Sequence, residues 1–275
     1  VKIGNKKVNK YIFMDEAYWI KEYTILDELK KYNHPNIIKY DKCKFAYYNH
    51  PIEGNRLFCC NLTLPKYKYT LNHVNIHTDL QILQIMIDLL SAVDLCHTLN
   101  IWHRDIKPDN IMLMNDYRAV LIDFSHAIKI HDNLTVELDY EIATYTHRAP
   151  EVFNYRNKKN NTYNEKNNTY NKKNNTYNEK IDIWSLGVIF YELLIQEKLF
   201  VDILQNIDSE NGVDVFLNND RSYLKKMDNL YKKHIKINNK NIKHADVYWL
   251  WIMEMLQYDP YDRVSAYEIL NKIII

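Results

Sequence analysis

Asp105, Lys107 and Asn110 stand close together in the run His103-Arg104-Asp105-Ile106-Lys107-Pro108-Asp109-Asn110. A carboxylate there can accept the proton of an attacking hydroxyl, an ammonium can neutralise a phosphate, and a carboxamide oxygen can hold a hard cation. Thirteen residues after Asn110, Asp123-Phe124-Ser125 adds a second carboxylate suited to holding Mg²⁺ against a nucleotide. Phosphoryl transfer needs this set: a positioned base, oxygen ligands for metal, and cations around the moving group.

The run resembles the catalytic loop of eukaryotic protein kinases, in the form typical of Ser/Thr kinases, with Lys two residues after the Asp. The resemblance implies that Asp105 is the catalytic base and that Lys107 contacts the transferring phosphate. It implies that Asn110 and Asp123 hold Mg²⁺, that His103 is a packed structural residue, and that Arg104 pairs with the activation segment. Ending at Glu151, twenty-eight residues after Asp123, Thr144-Tyr145-Thr146-His147-Arg148-Ala149-Pro150-Glu151 resembles the segment in which these kinases hold a peptide substrate. Thr144 then bonds the catalytic Asp and Lys, Glu151 pairs with Arg263, and Asp182 of Asp182-Ile183-Trp184-Ser185-Leu186-Gly187 fixes the catalytic-loop backbone. Arg148 is the choice of the group containing cyclin-dependent and mitogen-activated kinases. Asp139 and Glu141 occupy the stretch where that group is phosphorylated, which suggests fixed carboxylates on Arg104 or simply a solvated acidic loop.

On the nucleotide side, Lys2 in Val1-Lys2-Ile3 resembles the strand lysine that grips the α- and β-phosphates, with Glu22 as its helix partner. Lys2 as a surface lysine, and Glu16 or Glu28 in place of Glu22, are the competing readings. Pro65, Lys66 and Tyr67 are expected to form the hinge that binds adenine, after a gatekeeper near Leu64; a shifted register puts Asn61 there. ATP and Mg²⁺ are the implied cofactors.

The elements that must position these residues form an α+β, bilobal kinase-like fold. Residues 1–67 make a partial β-rich N-lobe and the hinge, beginning at the Lys2 strand, so the first two strands and the Gly-rich loop are expected to be missing. Helical spacing of Ile25, Leu26 and Leu29 predicts a helix over 16–32, stopped by His34-Pro35. Strands are expected over 37–48 and 57–64. Residues 68–275 make a helical C-lobe, in which Leu80, Leu83, Ile87, Leu90 and Val93 predict a buried helix over 78–99. Further helices are expected over 181–195, 245–257 and 264–274. Between 154 and 180 lies a seven-residue repeat, Thr162-Tyr163-Asn164-Glu165-Lys166 and its copies from Thr169 and Thr176. One tyrosine per repeat offers no coiled-coil seam. With seven basic against two acidic residues over 156–180, the segment is expected to be a disordered insertion or a basic docking tail.

Composition narrows the classes. The 275 residues are 47% hydrophobic and 26% charged with a net charge of +1, ordinary globular values that point to neither nucleic acid nor membrane as a partner. Cys43, Cys59, Cys60 and Cys96 have no metal-type spacing, and reduced thiols in an intracellular protein, cytoplasmic or nuclear, are expected. The expected partners are a protein substrate and, as an option, a regulatory protein. The chain holds only four glycines, none close enough together for a phosphate loop. Val1 and the absence of a signal-like start suggest an excised domain, with Ser125 standing where the family has Gly. Set against a Ser/Thr kinase are a pseudokinase scaffold and, more weakly, a small-molecule kinase.

Overall fold

In the computed structural model, the described residues are 2–3, 7–13, 16–49, 56–76, 78–130, 136–137, 144–152, 176–199, 227–229, 231–232 and 242–274. The N-lobe is an antiparallel sheet in the order β1-β2-β4-β3, from β1 (Lys2–Ile3), β2 (Lys7–Phe13), β3 (Lys42–Asn49) and β4 (Arg56–Pro65). Side chains alternate faces along each strand, and cross-strand partners share a face. Val8 pairs with Leu64 and Lys10 with Leu62, so these four lie on one side, while Asn61, opposite Tyr11, lies on the other.

Helix α1 (Glu16–Lys31) buries Ile25, Leu26 and Leu29, the positions its periodicity marked. It stops at Asn33, which adopts φ 50°, a left-handed conformation that Asn tolerates, two residues before Pro35.

The C-lobe is built on α2 (Asp79–Thr98) and α3 (Lys180–Ile195). Thr78 caps α2 reciprocally: Gln81 N–H donates to Thr78 Oγ1 at 3.3 Å, and Thr78 N–H donates to Gln81 Oε1 at 3.4 Å. The buried stripe of α2 is Ile82, Ile85, Met86, Leu89, Val93 and Cys96. Of the expected stripe, Leu90 and Val93 are buried, whereas Leu80 is 76% exposed and Leu83 and Ile87 are half-buried. By length and composition α2 could cross a membrane, but its apolar stripe here packs inside the lobe. Helix α3 is buried along almost its whole length, which explains its lack of amphipathic pattern. Gly187 lets α3 approach the end of α4 (Ala245–Met255): a Cβ there would stand 2.9 Å from Leu256 Cδ2 and 3.1 Å from Met255 Cβ. Helix α5 (Ala266–Ile274) packs on α2.

Short strands carry the chain between these helices. β5 (Tyr69–Thr70), β7 (Ile111–Leu113) and β8 (Ala119–Leu121) form one small sheet, and β6 (Ile101–Trp102) pairs with β9 (Ile128–Lys129). The 103–110 run leaves β6 and the Asp123 segment leaves β8, so two paired ladders hold the two carboxylate-bearing loops.

Two expectations change. A strand, β1, precedes the strand that carries the site's lysine, where none was expected. The insertion boundary also moves. Thr176–Lys180, expected inside the disordered repeat, is folded: β11 (Thr176–Tyr177) pairs with β10 (Val136–Glu137), Asn178 Oδ1 accepts the Lys180 N–H at 3.1 Å, and α3 begins at Lys180. Tyr177 is 2% exposed, so the repeat does carry one core side chain. Its first two copies lie outside the described residues.

Candidate active site

The run after β6 turns sharply at Arg104, which adopts φ 66°. Asp182, buried near the start of α3, fixes this turn: Oδ2 accepts the His103 N–H and Oδ1 the Arg104 N–H, both at 2.8 Å. His97 Nε2 lies 3.0 Å from Asp182 Oδ2. Burial pushes the Asp182 carboxyl up, but His97, the His103 charge and the Arg104 N–H outweigh it and hold it below the ordinary carboxylate range. Burial drives the pKa of His103 down. That ring packs edge-on to Phe124 at 4.7 Å between centroids, with Nε2 3.0 Å from the Ile122 carbonyl oxygen.

Asp105 follows, and both of its oxygens are engaged. Oδ1 accepts the Thr144 N–H at 3.0 Å and the Thr144 hydroxyl at 2.7 Å. Oδ2 accepts Asn110 Nδ2 at 3.0 Å and lies 2.8 Å from Lys107 Nζ. Lys107 Nζ also donates to Thr144 Oγ1 at 2.8 Å, closing a triangle of carboxylate, ammonium and hydroxyl. Burial pushes the Asp105 carboxyl up, and the bonds from Lys107 and Thr144 outweigh it, so the group stays ionised. Asn110 is buried at 6% exposure, and its Nδ2 also donates to the Asp105 carbonyl oxygen at 2.8 Å. Asp105, Lys107, Asn110 and Thr144 therefore form one cluster, as the resemblance implied.

Asp123 sits at φ 62°. Its Oδ1 lies 2.6 Å from Lys10 Nζ, and the same ammonium lies 2.7 Å from Glu22 Oε1 of α1. The lysine facing Glu22 and Asp123 is thus Lys10, which corrects the expectation for Lys2. Lys2 sits on β1, paired with Asn9, one strand further from α1. Strand order decides the matter, because β2 lies next to β4 and directs Lys10 to the face shared with Leu62. Glu22, 4% exposed, is the helix partner, as expected over Glu16 and Glu28. Glu28 instead pairs with Lys129 of β9, with Nζ 2.6 Å from Oε2. Burial lowers the Lys10 pKa, but Glu22 and Asp123 outweigh it and hold the ammonium above the ordinary lysine value. Burial raises Asp123, and the Lys10 charge and bond outweigh it, leaving an ionised carboxylate. Asp123 and Asn110 offer hard oxygen donors, the donor type that Mg²⁺ takes.

Of the residues expected to form the hinge, Pro65 ends β4, and Lys66 and Tyr67 lie between β4 and β5. Pro65 has no N–H, so backbone donors at the hinge come from Lys66 and Tyr67. Leu62 pairs directly with Lys10, and Leu64, the residue before Pro65, lies on the same face of the sheet, while Asn61 lies on the other.

Beside the catalytic cluster opens a recess lined by Lys107, Asp109, Thr144, Thr146, His147 and Glu192. Beneath it, Glu151 and Arg263 make the expected pair, bidentate at 2.9 and 3.2 Å, with the Arg263 side chain fully buried. Asp139, Tyr140 and Glu141 lie outside the described residues. Among the described residues the Arg104 guanidinium donates to the Tyr177 hydroxyl at 2.7 Å and the His126 carbonyl oxygen at 2.6 Å. Sequence reasoning missed this tyrosine.

Residues 1–274 match the family described as Protein kinase domain. Over 198 residues the chain is 31% identical to mitogen-activated protein kinase 12 of Oryza sativa subsp. japonica, covering 66% of this chain and 30% of the relative. It is 32% identical over 201 residues to mitogen-activated protein kinase 16 of Arabidopsis thaliana, covering 67% and 32%. Over 130 residues it is 30% identical to a probable inactive serine/threonine-protein kinase of Dictyostelium discoideum, covering 46% of this chain and 14% of the relative. The chain spans about a third of the length of the mitogen-activated kinases it matches.

Proposed function

The chain belongs to the protein kinase family, near the mitogen-activated group, and we propose that it transfers the γ-phosphoryl group of ATP to Ser or Thr hydroxyls of a protein substrate. The observation that carries this reading is Asp105, held ionised by Thr144 and Lys107, two residues that also line the neighbouring recess. An acceptor hydroxyl brought past Lys107 and Thr144 meets a carboxylate aimed by donors from three residues, Thr144, Asn110 and Lys107, which orients it and takes its proton as the new bond forms. Lys107 moves between Asp105 and the incoming phosphoryl oxygens. Lys10, on the opposite side, neutralises the remaining phosphates while Glu22 holds it in place. Asp123 and Asn110 are the residues that would hold Mg²⁺, which supplies charge neutralisation along the phosphate chain when bound. Lys66 and Tyr67 would offer backbone groups to adenine. A protein acceptor is favoured over a small molecule by Thr144, which ties the peptide-holding segment to the base. An ATP-dependent reaction and four free thiols suit an intracellular setting.

A pseudokinase scaffold is the second reading. Its support is the similarity to the D. discoideum protein described as a probable inactive serine/threonine-protein kinase, together with Ser125 in place of Gly after Asp123-Phe124. Incubation with radiolabelled ATP, Mg²⁺ and a generic protein substrate separates the readings. The expected result is transfer by the wild type and background signal from Asp105→Ala. Equal signal from both would remove Asp105 as the base, and no signal from either, with nucleotide still bound, would favour the scaffold.

A further inference from the structure

Arg104 is gripped at both ends by one short stretch of chain. Its N–H is bound by Asp182, and its guanidinium by the hydroxyl of Tyr177, five residues earlier. The arginine needs this grip. It is 9% exposed and holds a left-handed φ of 66°, a conformation that costs a non-glycine residue free energy unless its surroundings impose it. It also precedes Asp105, so a rotation of its backbone redirects the carboxylate. Tyr177 is itself fixed: the ring packs on Trp102 at 5.8 Å between centroids, and its strand pairs with β10.

Three copies of Thr-Tyr-Asn precede α3, and only the third is followed by Ile181-Asp182. The first two run on into Asn-Asn. Among the described residues, Tyr177 is the repeat tyrosine that meets Arg104 while Asp182 holds the same turn. We infer that Tyr177 is a positioning residue for the catalytic loop, that its hydroxyl acts through Arg104 on Asp105, and that the first two repeat copies are dispensable for this.

The kinetic part rests on the proposed kinase activity; the structural part does not. Tyr177→Phe keeps the ring on Trp102 and removes only the hydroxyl. The expected outcome is a kcat lowered about tenfold, the size of one hydrogen bond to a charged group expressed as a rate, with the KM for ATP unchanged. Hydrogen exchange across 103–106 should rise in the same variant, read well below its own melting midpoint. In an Arg104→Met background, Tyr177→Phe should add nothing further. Deleting 162–175, which removes two repeat lengths, should leave both kcat and exchange at wild-type values. Wild-type kcat and exchange in Tyr177→Phe would overturn the inference, as would a deletion variant as impaired as Tyr177→Phe. If the wild type transfers no phosphate, the functional reading fails, and the exchange measurement still decides the role of Tyr177.

Discussion

Lys10 Nζ stands 2.7 Å from Glu22 Oε1, so one ion pair joins β2 to α1 on the inner face of the N-lobe sheet. Asp123 Oδ1 lies 2.6 Å from the same nitrogen, which links both lobes through one ammonium. Lys10→Met leaves Glu22 buried without its partner and strips the phosphate side of its cation. The expected loss in kcat/KM is about 100-fold or more, the scale of removing a preorganised electrostatic group. Lys2→Met should stay near wild type. Steady-state kinetics of the two variants side by side check the assignment; a larger loss at Lys2 would reverse it.

Glu28 and Lys129 form a second tie between α1 and the segment after Asp123, with Nζ 2.6 Å from Oε2. Their side chains are 24% and 32% exposed, so solvent screens the pair and its share of stability is about 0.2–1 kcal/mol. Its larger effect falls on the orientation of α1, and hence on Glu22. Glu28→Lys is expected to lower kcat a few-fold with a melting midpoint close to wild type. The charge-reversed double variant Glu28→Lys/Lys129→Glu should recover most of the loss. No recovery would mean that the pair is a surface contact without influence on the site.

The catalytic loop was legible because its chemistry needs particular residue types at short fixed spacings, and such spacings survive in a single sequence. Asp105, Lys107, Asn110, Thr144 and the Glu151–Arg263 pair all fall where their motifs put them. Lys10 was not legible in this way. Lys2, Lys6, Lys7 and Lys10 crowd one short stretch, and only the pairing of Lys10 with Leu62 shows which of them faces α1. A signal was present in the length of β2, whose alternation puts Val8 and Lys10 on one face. Tyr177 was hidden by its own repeat. Three identical tripeptides suggest uniform surroundings, and only the apolar Ile181 following the third marks where the chain enters the core. The first half of the α2 stripe, Leu80, Leu83 and Ile87, was misplaced because apolar residues cover most of that helix, so several stripes fit its period equally well.

Arg263 has no exposed side-chain surface, and its guanidinium also donates to the Lys180 carbonyl at 2.8 Å and, through Nε, to the Gln257 carbonyl at 3.0 Å. Removing its anion by Glu151→Ala strands a buried charge, at an expected cost of about 3–5 kcal/mol. Chemical denaturation monitored by tryptophan fluorescence reads this directly. A loss below about 1 kcal/mol, the range of exposed pairs, would show that water reaches Arg263 in solution.

Acid should unfold the protein through its buried carboxylates, with Asp182 foremost. Its folded pKa is depressed, so the folded state binds fewer protons than the unfolded chain once the pH approaches the ordinary Asp value. Its contribution is therefore complete above the unfolded pKa of about 3.9 and is lost as pH falls through the lower folded value. Asp105 and Asp123 are depressed as well and act in the same direction. The urea midpoint is expected to hold steady from neutral pH to about 5 as far as these three groups govern it, then fall steeply toward pH 3. Asp182→Asn should start lower at neutral pH, since its amide cannot replace both acceptors for the His103 and Arg104 N–H groups. It should also fall less steeply in acid, because the most deeply buried of the three carboxylates no longer titrates. Parallel acid limbs for the wild type and Asp182→Asn would show that the Asp182 pKa is not depressed by folding.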